Sequence, residues 1–308
     1  MEKILISGGN GFLGSYLVEK ALNEGFDVTV VDDMSTMSEK NIPNNIEFIK
    51  KRIEDFYTEE RYDYYVHLAA RPSPDDYVKY PVETMLSNSL GTYRMLEMAR
   101  KHNGIFFYTS SSETYGDAEI IPTPETYWGK VNFTGIRACY DESKRFSEAL
   151  ALSYHREYGL DVRIERPFNV YGPRIRIDGQ YGRVIPRFIS QALKNEDITI
   201  YGDGLQTRSF LYVDDWLEAS WKFLMNDNLA GEIINIGSDK EITIKDLAYK
   251  IKDLTKSSSK IVYLKERPDD PRRRAADITK ARKLLNWEPK VSLDEGLIKT
   301  IEWIRGRI

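Results

Sequence analysis

KILISGGNGFLGSYLVEK, residues 3–20, decides the fold: an apolar strand runs into a glycine-rich turn and then into an amphipathic helical pattern. Gly8, Gly11 and Gly14 are spaced G-x-x-G-x-x-G rather than G-x-G-x-x-G, yet they meet the same physical needs. These are a tight turn, close approach of backbone to a pyrophosphate, and close packing of the helix. Phe12 and Leu13 sit at the start of that helix, whose N-terminus completes an anion site. A glycine triplet alone could be an ordinary turn. Here a second strand, DVTVV at 27–31, follows the helix and ends at Asp32, with Asp33 beside it. A carboxylate at that place accepts hydrogen bonds from both hydroxyls of an adenosine ribose and repels a 2′-phosphate, so NAD is expected rather than NADP.

Working outward, short β-branched or aromatic runs alternate with helical patterns. Strands are predicted near 3–7, 27–31, 46–50, 64–68, 104–109 and 161–166, and helices near 11–24, 81–102 and 140–158. Such alternation predicts an α/β protein with a Rossmann-like, doubly wound parallel sheet. YYVHLAA at 64–70 reads as a buried strand ending in small residues, so that Leu68, Ala69 and Ala70 would let a cofactor lie against the backbone. Tight helix packing over the two alanines explains them equally well. After RPFNVYGP at 166–173 the texture changes to frequent glycine and arginine, with shorter elements near 184–194, 198–201, 232–236, 243–255, 260–264 and 293–305. The expected organisation is an NAD-binding domain over 1–172 and a smaller, mixed α/β substrate lobe over 173–308. A segment around 208–236 is expected to return to the main sheet.

The chain has 308 residues, 41% hydrophobic and 30% charged, enough to bury a substantial core. No apolar run approaches the roughly 18 residues of a membrane span, and the start lacks the regions of a secretory signal. A soluble, cytoplasmic protein is therefore expected. One cysteine, Cys139, excludes an internal disulfide, and His67, His102 and His155 are too scattered for zinc, so no metal is expected. A net charge of −4 argues against nucleic acid as a partner.

Two further stretches carry chemistry: SSSETYG at 110–116 and RACYDESK at 137–144. Tyr140 and Lys144 are four apart, on one face of a helix. The ammonium is expected to lower the phenol's pKa from its usual value near 10, making a phenolate base available. The spacing alone also fits an ordinary solvated helix face. The hydroxyl and carboxylate cluster before it favours catalysis.

With these motifs the chain resembles the extended short-chain dehydrogenase/reductase superfamily (NAD-dependent epimerases and dehydratases), and within it the UDP-glucuronate decarboxylases, or UDP-xylose synthases. The glycine triplet, HLAA at 67–70, Asn88 with GT at 91–92, the Tyr-x-x-x-Lys pair and RPFN belong to the superfamily. SETYGD at 112–117, YWG at 127–129, RACYDE at 137–142, YGDGLQTRSF at 201–210 and DDPRRR at 269–274 resemble the decarboxylases more specifically. The resemblance implies a tightly bound, recycled NAD and a UDP-sugar substrate that is oxidised at C4, loses its C5 carboxylate as CO2 and is reduced again. Tyr140 would be the base, Lys144 its partner and a ligand of the nicotinamide ribose, and Ser111 the hydroxyl beside O4. Glu113 and Arg274 match the catalytic carboxylate and guanidinium, with Ser112 orienting either group or donating a proton. Asn169, Arg208 and Arg272 match pyrophosphate positions, whereas Arg183, Val184 and Tyr201 match those around the base and ribose.

The chain also departs from that pattern. Leu86 stands where the decarboxylases carry a lysine near the substrate, and Arg71 follows HLAA in place of a small residue or proline. Arg52 aligns with an adenine-binding Asp, leaving adenine to the backbone around Ile53. A nucleotide-sugar 4-epimerase shares the oxidation but needs neither Glu113 nor Arg274. A 4,6-dehydratase usually has Asp where this chain has Ser112, and a non-catalytic NAD-dependent sensor would not need Ser111, Tyr140 and Lys144. Apolar residues on more than one face of the helices at 81–102 and 140–158 (Met85, Leu90, Met95, Leu96; Phe146, Leu150, Leu152) suit a homodimer or a helix buried in a monomer.

Overall fold

A computed structural model describes residues 1–37, 39–177, 183–267 and 269–308. Strands β1 (Lys3–Ser7), β2 (Asp27–Asp32), β3 (Glu47–Lys50), β4 (Tyr64–His67), β5 (Ile105–Thr109), β6 (Val162–Pro167) and β11 (Ile233–Ile236) form one seven-stranded sheet. Its order is β11-β6-β5-β4-β1-β2-β3 and every pairing is parallel. The strands alternate between two apolar layers. Ile4, Ile6, Val28, Val30 and Val66 face α1 (Phe12–Asn23) and α6 (Val213–Leu224), burying Leu17, Val18, Trp216 and Phe223. Leu5, Val31, Tyr65, Phe106 and Tyr108 face α3 (Pro81–His102) and α4 (Ala138–Tyr158), where Met95, Leu96, Ala99 and Ala151 close the other layer. Burial on both faces explains why these strands read as nearly continuous apolar runs.

Between β6 and β11 the chain makes β7 (Val170–Tyr171), α5 (Val184–Leu193), β8 (Ile198–Tyr201), β9 (Thr207–Ser209) and β10 (Leu211–Tyr212), then returns through α6. Here α6 packs on α1 and β6, and β11 pairs in register with β6 (Ile233 opposite Ile164). After β11 come β12 (Glu241–Thr243), α7 (Ile244–Thr255), β13 (Ile261–Leu264), β14 (Arg273–Arg274), α8 (Thr279–Leu285) and α9 (Leu293–Arg305). They complete three small sheets, β10-β7, β12-β9-β14 and β13-β8. The short elements α2 (Pro74–Lys79) and α8 escaped the sequence reading because neither is long enough to show a helical period.

The glycine-rich turn is steric necessity. A Cβ on Gly14 would lie 2.2 Å from the Gly8 carbonyl oxygen, and Gly8 itself has φ +73° with its would-be Cβ 2.6 Å from the Ala69 nitrogen. Such contacts are backbone to backbone and cannot be relieved by a rotamer change. Gly14→Ala is therefore expected to abolish stable NAD retention, read as loss of bound nucleotide from the purified protein; a variant that copurifies with full NAD would contradict this.

Candidate active site

The carboxyl ends of the parallel strands open into one large cleft, the usual ligand position in such sheets. Gly8, Gly11, Phe12, Leu13 and Gly14 line it on one side, and Asp32, Asp33 and Ile53 lie at its end. Leu68, Ala69 and Ala70, just past β4, form its floor. The N-cap of α1 is Gly11, with no side-chain cap, so the first-turn N–H groups keep their capacity for an anion. Asp32 accepts hydrogen bonds from the Asn10 N–H (3.0 Å) and the Met34 N–H (2.8 Å), which fix its carboxylate in the cleft. Burial pushes its pKa up and those two N–H groups oppose the shift. A cradle this close to backbone, with a carboxylate 18 positions past Gly14, fits a dinucleotide. Arg52, paired with Glu54 at 3.0 Å, lines the cleft together with its neighbour Ile53.

Ser111, Ser112, Glu113, Tyr140 and Lys144 line the same cleft from the end of β5 and the start of α4, and Arg274 enters it from β14. Ser111 caps a short 3-10 turn (Ser112–Tyr115), accepting from the Glu113 N–H at 3.2 Å, and its hydroxyl favours the charged form of the Tyr140 phenol. Lys144 donates to the Thr109 carbonyl oxygen at 2.8 Å, with its Nζ 5.8 Å from the Tyr140 ring centre. Here the structure departs from the sequence expectation. Burial pushes the Tyr140 phenol up to about 12, with the Arg183 charge and the Ser111 hydrogen bond opposing. Burial likewise drives Lys144 down to about 7, resisted by Glu148 and Glu165. Shared helix-face geometry brings the two groups close, but both are desolvated together, so the ammonium is itself disfavoured and does not by itself depress the phenol.

Glu113 is clasped by two guanidiniums, Arg274 through Nη1 and Arg137 through Nη2. Burial alone would raise its pKa; Arg137 and Arg274 outweigh that and hold the carboxyl far below the usual range. Arg137 also lies over the Tyr77 ring at 5.7 Å, and Tyr77 stacks on Tyr140 at 4.8 Å with an 18° interplanar angle. Nearby, Asp141 is pushed up to about 7 by burial and by Glu113, with Arg137 and Arg274 opposing. Sequence reasoning missed Arg137 and Tyr77. Arg137 stood in a quoted motif three residues before Tyr140, and Tyr77 comes from the unpredicted α2.

Of the substrate-side residues, Asn169, Arg183, Val184, Tyr201 and Arg208 line the cleft. Asn169 donates to the Ser209 carbonyl (2.9 Å), Arg183 to that of Val170 (3.3 Å), and Arg208 pairs with Asp270 (2.8 Å). Tyr201 has Arg267 4.1 Å and Arg187 4.9 Å from its ring centre, two cleft-lining arginines the sequence reading did not single out. Arg272 is a correction. It does not line the cleft; it is half exposed and forms a fork with Asp203 (3.0 and 2.8 Å). Arg71 does line the cleft, 4.9 Å over the Tyr80 ring, whereas Leu86 lies partly exposed on α3 outside it. Among the described residues no group of His, Cys, Asp and Glu could hold a metal ion.

Comparison with known proteins gives the site its context. The chain is 43% identical to UDP-glucuronic acid decarboxylase 1 of Xenopus tropicalis over 99% of its own length and 72% of that protein. It is 46% identical to UDP-glucuronic acid decarboxylase 3 of Arabidopsis thaliana, covering 96% and 86%. Its structure superposes on the UDP-glucose 4-epimerase of Thermotoga maritima with UDP-glucose (TM-score 0.91, 35% identity, 99% of both chains). A similar match is the Bacillus cereus UDP-glucuronic acid 4-epimerase in complex with UDP-glucuronic acid and NAD (TM-score 0.87, 29% identity, 99% of both chains). Residues 4–237 match the NAD dependent epimerase/dehydratase family, to which this chain therefore belongs.

Proposed function

We propose that this protein is an NAD-dependent UDP-glucuronate decarboxylase, forming UDP-xylose through a UDP-4-keto intermediate. The observation that carries the reading is Glu113, held between Arg137 and Arg274 in the same cleft as Ser111 and Tyr140. Oxidation and re-reduction at C4 require Tyr140, Lys144 and Ser111 alone, so a 4-epimerase has no use for a buried Arg–Glu–Arg group. The decarboxylase relatives, 40–46% identical, support the same choice.

In this reading Tyr140 takes the C4 hydroxyl proton, and Ser111 orients that hydroxyl. Lys144, Asp32 and the glycine turn hold the cofactor. NAD held there would supply reversible hydride acceptance at C4, so the overall reaction would be redox-neutral. The C4 ketone makes the sugar a β-keto acid, whose C5 carboxylate leaves as CO2 while the electron pair moves into an enolate. Arg274 offsets the developing negative charge, Glu113 disfavours a neighbouring carboxylate and so favours its loss, and Ser112 returns a proton toward C5. Asn169 and Arg208 hold the pyrophosphate, with Arg183, Val184 and Tyr201 around the nucleoside. Incubation with UDP-glucuronate and NAD should release CO2 and yield UDP-xylose or its 4-keto precursor. UDP-galacturonate without CO2 would make the protein an epimerase instead.

The assembly belongs to the same reading. Met85, Leu90 and Phe146 are exposed on α3 and α4, whereas Met95 and Leu96 are buried within the chain. An apolar surface spanning two adjacent helices suits a homodimer joined through them. Leu90→Glu is expected to convert the dimer to a monomer in light scattering; a wild type that is already monomeric would refute it. Among the described residues no helix is long and apolar enough to cross a membrane, and we place the protein in the cytoplasm.

A further inference from the structure

The geometry points to Arg137 as the group that recognises the substrate's carboxylate, an inference that rests on the decarboxylase reading and assigns it a specificity-determining residue. Two observations converge on it. First, the two arginines on Glu113 are not equivalent. Arg274 uses Nη1 on Glu113 and directs Nη2 to the Gly116 carbonyl oxygen at 3.4 Å, so both ends of its fork are engaged. Arg137 donates only through Nη2 among the described residues, to Glu113, and its Nη1 and Nε donors have no protein partner there although it lines the cleft. Second, the charges around Glu113 do not cancel: two guanidiniums share its one carboxylate, neighbouring Arg208 is already paired with Asp270, and burial and Glu113 disfavour the charged form of Asp141.

The carboxylate carbon carried on C5 is two bonds from C4, and Ser111 and Tyr140, which line the cleft together, mark where the C4 hydroxyl would lie. Arg137 is three residues before Tyr140, bonded to Glu113, two residues after Ser111. Its position is set from both sides, by Glu113 and by the Tyr77 ring at 5.7 Å, so its open fork is preorganised for a planar anion. Arg274 is left to the charge that develops after CO2 departs. Recognition and chemistry are thereby divided between two arginines sharing one glutamate.

The test compares two sugar nucleotides that differ by that carboxylate. UDP-glucuronate and UDP-xylose are titrated calorimetrically into wild type, Arg137→Gln, Arg137→Lys and the double variant Arg137→Gln/Glu113→Gln, each checked for NAD content and thermal unfolding. Arg137→Gln should weaken UDP-glucuronate at least about tenfold, the scale of a charge-assisted contact, while UDP-xylose stays within about twofold. Arg137→Lys should retain the fold and recover part of the loss. The double variant restores the local net charge but should stay weak. Equal weakening of both ligands, or full recovery in the double variant, overturns the proposal, because Arg137 would then act only through packing or through Glu113. A wild type that does not distinguish the two ligands also overturns it. A wild type that distinguishes them through Arg137 yet releases no CO2 would leave this carboxylate site standing and remove the decarboxylase reading.

Discussion

Replacing Glu113 with Gln is expected to lower turnover of UDP-glucuronate by roughly 10²–10³-fold, the loss typical of removing one preorganised electrostatic group, while the protein still binds NAD. Gln keeps the size of the side chain and removes its charge, leaving Arg137 and Arg274 facing each other in a buried site. The glycine turn and Asp32, proposed to hold the cofactor, lie on other elements than Glu113. Breaking a buried ion pair from one side costs about 3–5 kcal/mol, so the melting temperature should fall as well. CO2 release, bound nucleotide and thermal melts separate the three effects. A Gln variant with near-native turnover would take Glu113 out of the chemistry and with it the distinction from an epimerase.

Lys144→Met should all but abolish turnover, and also make the protein more stable near neutral pH. The loss follows from removing the group proposed to hold the cofactor beside Tyr140 and should be at least about 10²-fold, the scale of a misplaced reacting group. The gain follows from linkage. Lys144 titrates near 7 in the folded protein instead of its ordinary 10.5, because burial penalises the ammonium. Between those values the unfolded chain holds a proton that the folded protein has released, so the lysine's contribution to stability rises with pH across this window. Below about pH 7 the full cost of a buried ammonium is present, on the order of a few kcal/mol, since each tenfold loss of proton affinity is worth about 1.4 kcal/mol. Methionine removes that cost. The melting temperature of the variant, compared with wild type at equal NAD occupancy, should be higher at pH 6 and the difference should shrink toward pH 10. A variant less stable than wild type at pH 6 would mean that Glu148 and Glu165 stabilise the charged lysine more than burial opposes it.

What sequence could reveal tracks the range of the contacts involved. The cofactor cradle is built within one strand–turn–helix unit and completed by Asp32 at the end of the next strand, so spacing alone specifies it. Tyr140 and Lys144 are one helical turn apart and are brought together by the helix itself. The stretch at 208–219 reads only as chain returning toward the main sheet; that it enters the helix α6, and that β11 pairs with β6, rests on remote partners. Arg272, Arg273 and Arg274 show the opposite case. Three consecutive arginines are equivalent on paper, but in the short strand β14 Arg273 turns outward to Glu241 and Arg274 inward to Glu113, while Arg272 before it meets Asp203.

By itself, then, the sequence determined the doubly wound sheet, the glycine turn with Asp32 at the end of the next strand and the Tyr–Lys pair, because each depends on local periodicity or fixed chain spacing. Tertiary structure decided that Glu113 would be shared by Arg137 and by Arg274, which lies 161 positions further along the chain, and that Arg272 would be left outside the cleft. It also decided the proton affinities of Tyr140 and Lys144. Those depend on how much water the surrounding elements exclude and which remote charges they bring near, a sum over neighbours that no spacing along the chain encodes.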